Sequence, residues 1–374
     1  MTLRLDSIEL REIRLPLREP FRISSGEVTE RRILLARVTD ADGFVAWSEC
    51  VAGEYPNYSP ETIDTAWLAL REWFGPRLLG STIDGAGAAD ALLGSDVRGH
   101  RMARATLEMA LWALESERAG VPLARAIGGT RPRVDVGISI GIQASPSELV
   151  DRARAALDAG YRKIKLKIAP GADIEFVAAV RAALGDAAPL MVDANNAYTL
   201  ADTPTLAQLD EFGLIMIEQP LDHEDIVSHA ELQRSLRTPL CLDESITSLD
   251  RARDMITLGS GRIVNIKPGR VGGFTPSIAI HDLCASHGVP VWCGGMLESG
   301  IGRAYNVALA SLPNFSIAGD ISPSARYWER DVVMPEWTMT DGTMSVPAAA
   351  GIGVEVDVDR IDDLTVRVEP LRTG

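Results

Sequence analysis

Cysteine is scarce in this chain, with four among 374 residues (Cys50, Cys241, Cys284 and Cys293), no CxxC pair and no regular spacing. That pattern excludes a disulfide framework and fits reduced, mostly buried thiols in a cytosolic protein. No apolar window reaches transmembrane length, and the opening Met1-Thr2-Leu3-Arg4-Leu5-Asp6 lacks the apolar core of a signal peptide. A soluble, cytoplasmic protein is therefore expected. Positive charge is in deficit, with 37 Lys and Arg against 52 Asp and Glu, a net of −15. Nucleic acid and acidic membranes would repel such a chain, so neither is an expected partner. An acidic small substrate is not excluded, because a bound divalent cation and a few lysines can invert the local field.

What is present is ordinary globular composition at a length that suits a barrel plus an accessory unit. Residues 3–17 and 30–39 are strand-like, and Ala41-Asp42-Gly43 supplies a hairpin turn into a strand at Phe44–Cys50. Helical patterns follow at 60–77 and 101–119, the second with Met102, Leu107, Met109, Leu111 and Leu114 at helical spacing. From residue 134 short apolar strands alternate with amphipathic helices. The strands are expected at 134–141, 163–168, 189–193, 214–218, 239–243, 263–267, 290–294 and 316–320, with helices such as 147–159, 173–184 and 226–236 between them. Eight such units predict a parallel sheet closed into a (β/α) barrel. The expected organisation is an α+β capping domain over 1–130, a barrel over 131–329, and a β-like tail over 330–374 that returns to the first domain.

Charged residues end five successive strands: Lys167, Asp193, Glu218, Asp243 and Lys267, at intervals of 26, 25, 25 and 24 residues. An interval near 25 is one βα unit, so the five occupy equivalent places at the C-terminal strand ends, the active-site face of such barrels. Three carboxylates on adjacent strands repel one another unless a cation sits among them. All-oxygen ligation points to Mg²⁺, with Mn²⁺ as a substitute. The plainer reading of each acid, a helix N-cap after a strand, is common for one residue but not for three in phase.

In Lys163-Ile164-Lys165-Leu166-Lys167-Ile168 strand alternation puts the lysines on one face and the aliphatics on the other. On an edge strand that is a solvated face; in a barrel the lysines point inward. Repulsion from Lys165, together with the metal, is expected to lower Lys167 from about 10.4 toward the roughly 7–8 useful for a base. Lys267 stands across the mouth and opens a glycine-rich loop, Lys267-Pro268-Gly269-Arg270-Val271-Gly272-Gly273. Arg270 has two readings, depression of the Lys267 pKa or an ion pair with a neighbouring acid. Two opposed lysines around a carboxylate-binding metal define α-proton abstraction through an enediolate.

These residues resemble the enolase superfamily in its muconate-lactonizing-like branch, most closely the o-succinylbenzoate synthase / N-acylamino acid racemase family. The matching stretches are Lys165-Leu166-Lys167, Val192-Asp193-Ala194-Asn195, Ile217-Glu218-Gln219-Pro220-Leu221, Leu242-Asp243-Glu244-Ser245 and Asn265-Ile266-Lys267-Pro268-Gly269-Arg270. Cys293 through Gly300, Gly319-Asp320, Pro20-Phe21-Arg22 and Trp47-Ser48-Glu49-Cys50 extend the similarity over nearly the whole chain. The resemblance implies a modified (β/α)7β barrel with a capping domain whose loops near 20–26 and 50–58 close over the substrate. It implies Lys167 and Lys267 as the acid/base pair, Asp193, Glu218 and Asp243 as Mg²⁺ ligands, and Lys165, Asn195, Glu244, Arg270 and Asp320 in support. Candidate substrate contacts are Phe21, Ser24, Tyr55, Gly295, Met296, Glu298, Ile301 and Tyr327, each of which is also consistent with plain packing. Assembly into a homo-oligomer is expected by analogy of fold.

Two departures narrow the family. No histidine ends the seventh strand, as a mandelate-racemase-like base would, and the eighth strand carries the lone Asp320 rather than the paired aspartates of a dipeptide epimerase. The expected reactions are racemisation of N-succinyl or other N-acyl amino acids and dehydration to o-succinylbenzoate in menaquinone synthesis, both in one site. Arg270 tilts this reading toward racemase competence. The alternatives are another muconate-lactonizing-like enzyme, such as a dipeptide epimerase or cycloisomerase, and a non-catalytic barrel, which the intact charged set argues against.

Overall fold

A computed structural model describes residues 1–23 and 26–372. The N-terminal sheet is built by alternation. Strand β1 (Leu5–Ile23) buries Ile8, Leu10, Ile13 and Leu15 and pairs antiparallel with β2 (Gly26–Asp40), in register at Leu10↔Ala36 and Ile13↔Ile33. The Asp40 carboxylate accepts from the Asp42 and Phe44 amides at 3.0 and 2.9 Å, and Gly43, at φ +87°, turns the chain into β3 (Val45–Cys50). Helix α1 (Arg101–Arg118) packs on this sheet, with Leu107, Met109, Leu111 and Leu114 all buried. The helix expected over 60–77 is broken into Ile63–Ala69, a π turn at Leu70–Phe74, and Gly75–Leu79. Pro76 explains the break, because it has no N–H for the carbonyl four residues back.

Seven parallel strands follow in sequence order: β4 (Gly137–Ile140), β5 (Lys163–Lys167), β6 (Leu190–Asp193), β7 (Ile217–Glu218), β8 (Leu240–Leu242), β9 (Ile263–Ile266) and β10 (Val291–Cys293). Helices α2 (Pro146–Asp158), α3 (Ile174–Leu184), α4 (Ile226–Ser235), α5 (Leu249–Leu258), α6 (Phe274–Ser286) and α7 (Gly300–Ala310) cover the outside. Only short turns of helix connect β6 to β7, one of them with Pro204 in its first turn.

The expected eighth strand, 316–320, is not a regular strand. The chain closes the ring by single bridges, Phe315 to Val291 and Gly319 to Val136. The Gly137 amide donates to Gly319 O at 2.6 Å and the Asp320 amide to Cys293 O at 2.9 Å. The first expected strand is also split: Arg133–Asp135 pairs with Thr343–Ser345 of the tail, apart from β4. A last strand, β11 (Thr365–Arg372), pairs antiparallel with β1. Inside the barrel, Met191, Met216, Cys241, Ile263 and Trp292 form a nearly closed apolar floor. Among the described residues no helix is long and apolar enough to cross a membrane.

Two buried carboxylates tie the N-terminal sheet and helix to the barrel. Glu108 of α1 accepts from the Phe274 and Thr275 amides at 2.7 and 2.8 Å, at the start of α6. Glu49 of β3 accepts from the Ser299 hydroxyl at 2.6 Å and the Gly302 amide at 3.1 Å, at the start of α7. Unpaired N–H groups and the positive helix end favour an anion there. Burial outweighs these bonds and pushes both carboxyls up to about 7. A folded-state pKa above the unfolded value means the native chain holds the extra proton, so stability falls as pH rises from about 4.5 to about 7. For Glu108→Gln we expect its share of that slope, on the order of 1 kcal/mol per pH unit, to be lost, so that parent minus variant urea-unfolding free energy falls by that much per unit across this range.

Candidate active site

Strand alternation and register build the site. Lys165 lies level with Ser139 and Met191, and Lys167 level with Asp193, while Ile164 and Leu166 pack outward against the helices. Glu218 lies level with Asp193 on one side and Cys241 on the other, and Asp243 follows β8. All of these charged groups are buried: Lys167 is 8% exposed, Lys267 6%, Asp193 1%, and Glu218 and Asp243 0%. Charges at that depth persist only where they are paired.

Lys167 Nζ donates to Asp193 Oδ2 at 2.7 Å and to Asn195 Oδ1 at 2.6 Å. Lys165 Nζ bridges Asp193 Oδ2, Glu218 Oε2 and Asp320 Oδ2 at 3.2, 3.1 and 2.6 Å. Across the mouth, Lys267 Nζ donates to Asp243 Oδ2 at 2.8 Å and to the Tyr58 hydroxyl at 3.1 Å. Its path needs Gly294, since a Cβ there would lie 2.5 Å from Lys267 Cε and from the Asn265 amide.

The two lysines differ in electrostatics. Burial lowers Lys167, and although Asp193 opposes this, repulsion from Lys165 adds to it, so the amine stands below its ordinary range. Burial also lowers Lys267, but Tyr58 and Glu244 outweigh it, so this ammonium stands above its ordinary range. Lys165 is held well above by Asp320, Glu218 and Asp193 against the cost of burial. Burial raises Asp193, yet Lys167 and Lys165 pull it far below the usual carboxylate range. Glu218 is raised by burial and by the Asp193 charge.

Of the two roles open to Arg270, the structure shows the ion pair. Its guanidinium engages Asp243 and donates to the Tyr58 hydroxyl at 3.0 Å and to Ile246 O at 2.9 Å. Depression of Lys267 by Arg270 is not seen, because Asp243 absorbs the arginine charge. Among the described residues no three or more His, Cys, Asp and Glu side chains are gathered closely enough to hold a metal ion. The three acids instead meet Lys165, Lys167, Lys267 and Arg270. Their donor set, carboxylate oxygen from three neighbouring strand ends, is still the set a hard cation requires.

Several positioning groups carry no periodic signal in the sequence. Asn265 Nδ2 donates to Glu218 Oε1 at 2.7 Å while its Oδ1 accepts from the Gly294 amide at 2.8 Å. Gln219 Oε1 accepts from the Asp243 and Ser245 amides at 3.0 and 3.2 Å, fixing the turn after β8. The Ser139 hydroxyl is buried at the Lys165 level with no hydrogen-bond partner. Asn195 and Gln219, just past the acids, adopt positive φ of 42° and 37°, strain of a kind that collects at functional sites. Asn195 Nδ2 donates to Glu244 Oε1 at 3.0 Å, and Glu244 is raised by burial and by Asp193.

The expected substrate contacts scatter. Phe21 lines a cavity of about 510 Å³ against Ile138, Ile140, Ala155 and Ala156, on the outer side of β4 and away from the lysines. Tyr55 is 71% exposed, and it is Tyr58 that reaches the site. Ile301 is fully buried in α7, and Tyr327 is buried between Arg303 and Arg326, whose guanidinium carbons lie 5.4 and 5.5 Å from its ring centre. Met296 and Gly295 are half-buried beyond β10, where a Cβ on Gly295 would lie 2.6 Å from Asp320 O. Glu298 is buried, its carbonyl accepting from Arg303 at 2.9 Å. Ser24 lies outside the described residues.

Comparison with known proteins agrees with this geometry. Residues 148–360 match the family model described as enolase C-terminal domain-like, and residues 7–128 match the mandelate racemase / muconate lactonizing enzyme N-terminal domain. An o-succinylbenzoate synthase of Geobacillus kaustophilus is 47% identical over 365 residues, 98% of this chain and 97% of that protein. An N-succinylamino acid racemase of an Amycolatopsis species is 47% identical over 363 residues, 97% and 98% of the two chains. A solved enolase-superfamily structure from Listeria innocua superposes with a TM-score of 0.96 at 37% identity, covering 99% of each chain. The chain is an enzyme of the enolase superfamily, in its mandelate racemase / muconate lactonizing branch.

Proposed function

We propose that this enzyme removes the proton α to a carboxylate, with Lys167 and Lys267 on opposite faces of the reacting carbon. Its substrates are an N-succinyl or other N-acyl amino acid and the succinyl-bearing cyclohexadiene carboxylate that dehydrates to o-succinylbenzoate, a step of menaquinone biosynthesis. The observation that carries this reading is the pair of buried lysines across the barrel mouth, one on each side of three strand-end acids. Asp193, Glu218 and Asp243 would hold Mg²⁺, or Mn²⁺ in its place. When bound, the ion supplies charge to stabilise the enediolate oxygens.

The residues of this chain do the rest. Lys167, held below its ordinary range, takes the α-proton as the amine. Lys267, held above its range, faces the developing enediolate as an ammonium. Where a β-hydroxyl is present, the electron pair collapses and expels it, and the hydroxyl leaves as water by taking the proton that Lys167 has just accepted, which restores the amine. Where none is present, Lys267 delivers its proton to the opposite face and the α-carbon inverts. The unequal lysines favour dehydration, in which Lys267 stays an ammonium throughout. Racemisation additionally requires Lys267 to lose its proton, which its pairing with Asp243 and Tyr58 opposes in this structure. The purified enzyme with Mg²⁺ is expected to turn over both substrates, measured by the ultraviolet change on dehydration and by polarimetry. Failure on both would refute the proposal.

A further inference from the structure

The deepest lysine of β5 belongs to neither the acid/base pair nor the acid triplet. Lys163 is 0% exposed, and its ammonium lies 3.1 Å from Asp320 Oδ1 and 3.3 Å from the centre of the Trp292 ring. Space for it is made by Gly137, where a Cβ would stand 2.8 Å from Lys163 Cε. Trp292 is itself fixed, its indole N–H donating to Cys241 Sγ at 3.3 Å. The Lys163 Nζ has no hydrogen-bond partner, so the ion pair with Asp320 and the ring face are what compensate its burial.

Asp320 is therefore shared. One oxygen faces Lys163, and the other meets Lys165 at 2.6 Å, the shortest of the three Lys165 contacts. Its amide donates to Cys293 O at 2.9 Å, which fixes its place at the end of the ring. Lys165 is pulled downward by Asp320 and upward by Glu218 and Asp193, at 3.1 and 3.2 Å. Asp320 thus meets two ammonium groups at once, Lys163 through one oxygen and Lys165 through the other. We propose that Lys163 is a positioning residue that, by sharing Asp320 across the Trp292 face, keeps the Lys165 ammonium seated between Asp193 and Glu218, beside Lys167. This rests on the reading of Lys167 as base and of Asp193 and Glu218 as metal ligands.

Lys163→Met keeps the volume and removes the charge. It is expected to lower kcat roughly 10- to 100-fold with KM within about threefold, whereas Lys163→Arg, which keeps a cation on the ring, stays within about threefold of the parent in kcat. In an Asp320→Asn background the downward pull is absent, so adding Lys163→Met changes kcat less than about threefold. Mg²⁺ titration calorimetry gives a readout independent of turnover. Lys163→Met is expected to bind the ion about 3- to 10-fold more tightly, because Asp193 and Glu218 lose an ammonium, and Asp320→Asn removes that gain. A melting temperature lowered with kcat and Mg²⁺ affinity unchanged would overturn the proposal, as would single and double variants whose effects simply multiply. If Lys163→Met does not fold, Lys163→Gln, which also removes the charge but keeps a polar end, is carried through the same kcat and Mg²⁺ measurements with the same expected results. A parent enzyme inactive on both substrates would refute the proposed function, and the Mg²⁺ titrations would still decide the role of Lys163.

Discussion

Lys167→Met is expected to reduce dehydration roughly 10³- to 10⁴-fold in kcat, with KM within about threefold. The amine is set below its ordinary range, and burial with Lys165 beside it is the cause. Methionine matches its length and polarisability but has no lone pair able to take the α-proton. Asp193 would lose one of its two ammonium partners, yet Lys165 remains at 3.2 Å, so the fold is expected to survive, as circular dichroism and thermal unfolding would check. Lys267→Met is expected to act differently, with racemisation lost and dehydration reduced only about 10- to 100-fold. There Lys267 serves as a fixed charge and not as a base, and Asp243 keeps Arg270 as a partner. Steady-state assays of both variants on both substrates separate the roles. A Lys167→Met enzyme within tenfold of the parent would remove that lysine from the mechanism.

Glu218→Gln carries the second large effect. Glu218 is fully buried between Asp193 and Asp243, accepts from Lys165 at 3.1 Å and from Asn265 at 2.7 Å, and is raised by burial and by the Asp193 charge. Such a carboxylate is costly unless a cation needs it. The amide keeps the shape but loses the anion and one oxygen acceptor. Mg²⁺ affinity is expected to fall by more than the roughly 10- to 100-fold that changes beyond the ligand shell cause, and turnover with it. Calorimetry against Mg²⁺ alone checks the first and kcat at saturating Mg²⁺ the second. Unchanged Mg²⁺ affinity would show that Glu218 is not a ligand.

The strand-end charges were readable in the sequence because a βα unit has a fixed length, so equivalent places recur near every 25 residues. Lys165 and Lys167 were readable because a strand alternates. The groups that hold them were not. Tyr58 comes from a connection with no period and reaches Lys267 only once the N-terminal sheet docks on the barrel. Asn265 looks like one polar residue in an apolar strand, and its two bonds, to Glu218 and to the Gly294 amide, depend on neighbours 47 and 29 residues away. The sequence leaves both readings of Arg270 open, because Asp243, the acid it pairs with, stands on the preceding strand. The eighth strand was overdrawn for a similar reason: 316–320 is apolar enough to pair, but the ring closes through single bridges at Phe315 and Gly319. The substrate pocket was least legible, because Phe21, Ile301 and Tyr327 differ from ordinary core only by where the fold puts them.

Lys167 and Lys267 are proposed to serve opposite faces of one carbon. The direct measurement is α-proton exchange in D₂O, followed by NMR, for each enantiomer of an N-succinyl amino acid with Lys167→Met and with Lys267→Met. Each variant is predicted to exchange one enantiomer only, and the two variants to exchange opposite enantiomers. Exchange of the same enantiomer by both, or of both enantiomers by either, would contradict the account.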